Sequence, residues 1–185
     1  MQAVAAGTRA DSPDRQRERR LCKTALAMRK EHLVREFRDL LEDRLRSLKR
    51  MRDAARSGMR VDEGHRPSNR GERAAVTSQG YLAAGLNSRI DSLEADLLRL
   101  TQVDSSLRAA VSAGALVSTL DGDGREQRFL LLPGAQGDLI GEGRAVTAVS
   151  PASPIGRGLL TLEEGDTAEV TLGGRQLEFE ILAVE

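Results

Sequence analysis

Aromatic residues make up only 2% of this 185-residue chain: three Phe, one Tyr and no Trp. So few large rings exclude a large conventional core, and they argue against a base-stacking surface for nucleic acid. Cysteine is as scarce. The lone Cys22 cannot form an intramolecular disulfide, which is consistent with a reducing compartment. With it stand only two widely spaced histidines, His32 and His65, too few ligands for a structural zinc site in one chain. No apolar run approaches the roughly 18 residues of a membrane span, and the basic N-terminus has no hydrophobic signal region. The expectation is a soluble cytoplasmic protein with no membrane contact. Nucleotide motifs are absent too. There is no P-loop, and Gly141-Glu142-Gly143 lacks the third glycine and the helix start of a dinucleotide fingerprint. No serine has a local base that would make it a nucleophile.

What the chain does have is charge, and the charge is segregated. Its 28 Lys/Arg and 28 Asp/Glu cancel overall. Residues 1–73 hold 20 basic and 12 acidic side chains, and residues 74–185 hold 8 and 16, so the two parts carry +8 and −8. A basic helical arm joined to an acidic globular end creates a dipolar field. The arm suits nucleic acid or an acidic protein channel. Its arginines equally suit pairing with i±4 neighbours on a solvated helix.

Residues 1–12 are expected to be disordered, and a helix is predicted from Ser12-Pro13 to about Arg56. Leu26, Leu33, Phe37, Leu40, Leu41, Leu45, Leu48, Met51 and Ala55 recur mostly at steps of three, four and seven, forming one apolar stripe. At 1.5 Å per residue the rod would be roughly 65 Å long, too long for a small globule, so it needs a partner helix. Residues 70–102 supply one, with Ala75, Ser78, Leu82, Leu86, Ile90, Leu93, Leu97 and Leu100 as the facing stripe. Gly80 and Gly85 cost helix propensity and are read as allowing close approach to helix one. Between the helices, residues 57–71 (SGMRVDEGHRPSNRG) are rich in loop residues and form a tip. The antiparallel coiled coil thus covers residues 13–103.

After a linker, a small β-rich domain over residues 108–185 is predicted. Its strands are Ala115–Leu120, Gln127–Leu132, Ala145–Val149, Ala168–Leu172 and Arg175–Val184, with a turn at Asp121-Gly122-Asp123-Gly124 and a hairpin at Gly173-Gly174. The fold class is α+β. Within the domain, AVSPASPIGRGLL (Ala148–Leu160) reads as strand, sharp turn and short helix. Ser153 stands at the N-cap and Pro154 at the first helical position, where a missing N–H costs nothing.

The tip holds the residues best suited to metal chemistry. Asp62 and Glu63 are adjacent, and Glu72 opens the second helix. Hard carboxylate oxygens suit Mg2+, which takes one or two protein carboxylates and keeps waters. The plainer reading is that Asp62 and Glu63 solubilise a loop while Glu72 favours the helix dipole. Around them Arg52, Arg56, Arg60, Arg66 and Arg70 form a basic patch on the coil, suited to an acidic channel or to RNA phosphates.

The Ser-Pro turn, the following EEGDTAEVTLGGRQLEFEILAV and, in helix two, SQGYLAAGLNSRIDSLEADLLRL closely resemble the Gre family of bacterial transcription elongation factors. The resemblance runs from about Leu21 to Glu185. It implies an antiparallel coiled coil followed by an FKBP-like C-terminal domain. Only Phe129 and Phe179 are available there, so no prolyl isomerase pocket is expected. The resemblance also implies a monomer that binds RNA polymerase at its secondary channel and meets nascent RNA only indirectly. Ser153, Pro154, Ile155 and Arg157 would dock on the channel rim, or Ile155 and Leu159 would simply plug the domain core. The chain would not itself be an enzyme and would hold no cofactor of its own. In the family, two tip acids help the polymerase bind a second Mg2+ and hydrolyse backtracked RNA. Here Arg66 and Asn69 fall at those positions, Glu72 matches a later Glu of the motif, and Asp62-Glu63 are displaced toward helix one. Two readings follow: Asp62, Glu63 and Glu72 assist cleavage with a shared Mg2+ from a new position, or the chain is a non-cleaving regulator of the same channel. Outside the resemblance stand a coiled-coil interaction protein unrelated to polymerase and, more weakly, a direct nucleic-acid binder.

Overall fold

Two helices of unequal length set the frame. The computed structural model describes residues 13–57, 70–104, 106 and 108–185, with side chains from residue 30 onward except that of Glu72. Helix α1 (Pro13–Ser57) and helix α2 (Arg70–Thr101) run antiparallel as a hairpin. No Gly or Pro interrupts α1 after its first residue, so nothing breaks its hydrogen-bond ladder. Phe37, Leu41 and Ala55 from α1 are buried, as are Ala83, Leu86, Ile90 and Leu100 from α2. Lys49 and Glu94 join the helices by an ion pair at 2.7 Å.

The seam departs from the expected stripes toward the tip. Ala83 is buried there, whereas Ala75, Ser78 and Leu82 are exposed, and Met51 lies more than half exposed at 55%. Gly85 does not serve close approach to α1. A Cβ built on it meets nothing within 4 Å, because it points to open space beside the seam. The reason is periodicity: stepping back by three and four from Ile90 leads to Leu86 and Ala83, which rotates Leu82 and Gly85 onto the flank.

The rest of the chain builds one mixed sheet. Strands β1 (Leu116–Asp121), β2 (Glu126–Leu131), β3 (Gln136–Ile140), β4 (Val146–Val149), β5 (Thr167–Leu172) and β6 (Arg175–Val184) lie in the order β3-β4-β2-β1-β6-β5. Only β2 and β4 pair in parallel. Strand β3 was not anticipated from the sequence. The β1–β2 turn is tied by Asp121, whose carboxylate accepts from the Arg125 and Asp123 amides at 2.9 and 3.0 Å and from Gln127 Nε2 at 2.8 Å. These bonds, that from Arg125 foremost, hold the Asp121 carboxyl below the usual carboxylate range. Gly173 and Gly174 take φ of 58° and 81°, the pair of left-handed residues a two-residue hairpin needs.

The sheet is covered on both faces, and this explains the unbroken apolar run Phe129–Leu132. Leu116, Leu130, Leu132, Ile140, Val146 and Ala148 point to one face and pack against Leu33, Phe37, Leu41 and Leu100 of the hairpin base. Val117, Phe129, Leu131, Val149, Phe179 and Ile181 point to the other, where helix α3 (Pro154–Leu159) delivers Leu159. Phe129 and Phe179 meet edge to face at 5.6 Å within that second core.

Candidate functional site

Two regions carry the residues singled out by sequence, and they stand far apart on the molecule. The first is the turn into α3. Strand β4 ends at Val149, and the chain reverses through Ser150-Pro151-Ala152. The Ser153 hydroxyl donates to the Ser150 carbonyl at 2.7 Å and accepts from the Gly156 amide at 3.0 Å. Ser153 is therefore the N-cap, with Pro154 at the first helical position. Gly156 is required by packing, since a Cβ there would stand 2.0 Å from the Ser150 carbonyl oxygen. Of the four residues expected to dock, Ser153 caps and Ile155 packs half-buried on the core beside Leu159. Pro154 and Arg157 are exposed. Arg157 has no acidic partner among the described residues, so its guanidinium is available for a carboxylate fork.

The second region is the far end of the hairpin. Ala55 is still buried at 4%, so the helices remain zipped almost to the last residue of α1. That places Ser57, the last residue of α1, about 24 Å beyond Leu41 along the helix axis, at 1.5 Å per residue. Asp62, Glu63, Arg60 and Arg66 lie outside the described residues, and so does the Glu72 side chain. Arg56, in the last turn of α1, and Arg70, at the first residue of α2, are exposed. Arg52 is half-buried and turned onto Asp53, at 2.8 and 2.9 Å. Among the described residues no group of three or more His, Cys, Asp or Glu converges as metal ligands.

The two regions are held in fixed relation by contacts that sequence reading missed. Arg44 of α1 forks onto both oxygens of Asp138 in β3, at 2.5 and 3.4 Å. The Gly141 amide donates to both Glu36 oxygens at 3.0 and 3.2 Å. Charged residues on the solvated face of a long helix gave no signal that two of them reach the sheet. Only the clustering of glycines at 134, 137 and 141, all with positive φ, marked that region as tightly turned.

Residues 107–185 match the family described as "Transcription elongation factor, GreA/GreB, C-term". That stretch is similar to a GreA/GreB C-terminal domain along its whole length. The match contains the entire α3 turn, including the Ser153 cap and the Gly156 contact. Similarity extends to the transcription elongation factors GreA of Brucella canis and Brucella abortus. Each is 35% identical over 106 residues, which cover 56% of this chain and 65% of the relative. The chain thus spans just under two thirds of the length of those relatives. Among solved structures, GreA factor homolog 1 (Gfh1) of Thermus thermophilus is 19% identical, over 84% of this chain and 94% of that one, with a TM-score of 0.35. Gfh1 of Thermus aquaticus is 21% identical, over 78% and 93%, with a TM-score of 0.35.

Proposed function

We propose that this chain is a GreA/GreB-family transcription factor that binds bacterial RNA polymerase at its secondary channel. The C-terminal domain docks on the channel rim through exposed Pro154 and Arg157, with Ser153 and Ile155 holding their turn in shape. The hairpin reaches inward. One observation carries the reading: a zipped two-helix finger, packed at its base on the domain similar to GreA/GreB, carries the helix end at Ser57 about 24 Å beyond Leu41. A loop displayed on such a scaffold is positioned to act at a distance. The basic flank of Arg56 and Arg70 suits the acidic walls of a channel.

At the channel's end, Asp62 and Glu63, with Glu72 nearby, are the carboxylates that would share a Mg2+ ion with the polymerase. Bound there, the ion would supply an activated water for RNA hydrolysis. The protein itself is not an enzyme in this reading and stimulates the polymerase's own nuclease. A second reading is favoured by the sequence at the tip, where Arg66 and Asn69 stand in place of the family's acids. It is a regulator that occupies the channel without promoting cleavage.

Co-purification with polymerase, followed by transcript cleavage in stalled complexes, tests both. Cleavage that is lost in Asp62→Ala/Glu63→Ala supports the first reading. Binding without added cleavage, with competition against a cleaving factor, supports the second. No binding to polymerase overturns both.

A further inference from the structure

Helix α2 carries two heptad stripes, and only one of them is covered. The inner stripe, from Val76 through Ala83, Leu86 and Ile90 to Leu100, is sealed against α1. The outer one is Ala74, Ser78, Tyr81, Gly85, Ser88 and Ser92, at alternating steps of four and three, and all six are exposed. In its middle stands Tyr81, 77% exposed and the most exposed large apolar side chain among the described residues. One turn further on, Gly85 leaves a notch, since a Cβ built there meets nothing within 4 Å. Charge is missing from this stretch as well. In a chain that is 30% charged, Ala74–Ser88 holds no charged residue over 15 positions. The α1 segment running to the same tip is the opposite, with Arg46, Lys49, Arg50, Arg52 and Arg56 against Asp53. A fully exposed aromatic ring on an uncharged helix face marks a contact surface.

Symmetry and charge choose the occupant. We infer that the outer face of α2 packs antiparallel against the same face of a second copy, about a two-fold axis level with Ala83. Two-fold packing sets a surface against itself, so it penalises a face carrying charge of one sign. The basic side of α1 could not pair in this way, whereas the uncharged side of α2 can. An unrelated acidic or basic partner would find no opposite charge on it. With the axis level with Ala83, Tyr81 of each copy lies over the Gly85 notch of the other, Ser78 meets Ser88, and Ala74 meets Ser92. Each contact occurs twice. Side chains this small let the two helices approach to about 8 Å, the close end of helix packing. The charges beyond the stretch are compatible with the same register. Arg89 and Asp91 come level with Thr77 and Ala75 of the other copy, and Arg70 with its Asp96. The contact is one helix face about 27 Å long, of the small and reversible kind. It departs from the monomer that the family resemblance implies, and it does not depend on polymerase binding.

Sedimentation equilibrium of the full chain, from micromolar to millimolar concentration, tests this. A monomer–dimer equilibrium is expected. Tyr81→Ala weakens it about tenfold or more, as loss of a central aromatic contact does. Ser78→Glu/Ser88→Glu sets like charges opposite each other in the proposed register and abolishes the dimer. Ser78→Glu/Ser88→Arg sets opposite charges there and keeps it. All three positions are exposed in the single chain, so helix content by circular dichroism is expected to stay the same in every variant. A chain that remains monomeric throughout, a dimer indifferent to Tyr81→Ala, or equal association of the two charged pairs overturns the inference. So does an assembly larger than a dimer that the same variants dissolve, because its packing would not be two-fold.

Discussion

Lys30 is the least comfortable residue of the hairpin base, and replacing it should stabilise the protein. Its side chain is 1% exposed, and its Nζ makes no hydrogen bond among the described residues. A buried donor left unsatisfied costs about 1–3 kcal/mol, more when charged. The attraction of Asp104 and Glu185 offsets part of that cost, and Arg108 adds to it. Burial dominates, so the ammonium is held below its ordinary pKa of 10.5. Methionine has nearly the same length and flexibility without the charge. Lys30→Met is therefore expected to gain about 1–2 kcal/mol at pH 7, or roughly 2–8 °C in Tm for a chain of this size. The pH dependence sharpens the test. Between the lowered folded pKa and the ordinary value the unfolded chain binds more protons, so stability of the natural protein rises with pH across that window. The Met variant lacks this contribution, and the gap between the two proteins narrows as pH climbs toward 10. Urea melts at pH 7, 8.5 and 10 measure it. A Met variant no more stable at pH 7, or a gap unchanged with pH, would refute the reasoning.

Three further outcomes follow from the packing. Gly85→Ala adds a methyl in open space and should raise helix stability by up to about 1 kcal/mol, whereas Gly156→Ala drives a Cβ into the Ser150 carbonyl and should cost more than about 3 kcal/mol; paired thermal melts compare them. Ser153→Ala removes the α3 cap at a cost of about 1 kcal/mol, visible as faster amide exchange at Gly156 and Arg157 with the sheet unaffected. Phe37→Ala empties the centre of the hairpin–sheet core and should cost about 3–5 kcal/mol, with both halves melting together because they share that core.

Periodicity made the long elements legible. The 3.6-residue stripe located α1 and α2 to within a residue or so, and the Gly-Gly and Ser-Pro signals located the last hairpin and the α3 cap. Those features are local, so local sequence can specify them. Strand β3 was hidden because it is an edge strand whose Leu139 is exposed, leaving no alternation to read. The rotation of the α2 stripe toward the tip was also hidden, since small residues such as Ala75, Ser78 and Ala83 serve a seam or a surface equally well. The angle between hairpin and sheet rests on Arg44–Asp138 and Glu36–Gly141, pairs separated by 94 and 105 residues, and no periodicity reports such distances. Within the candidate site, the turn at Ser153 was readable as a cap, but the division between exposed Pro154 and Arg157 and inward Ile155 needed the fold.

The hairpin base is also the lid of the sheet. Severed at the linker, residues 108–185 would present Leu116, Leu130, Ile140 and Val146 to water, a sticky slab in place of a finished domain. Any chimera that swaps fingers between related factors must therefore carry the stretch around Leu33–Leu41 and Leu100 together with the strands it shelters, or select compensating changes on both sides of the cut.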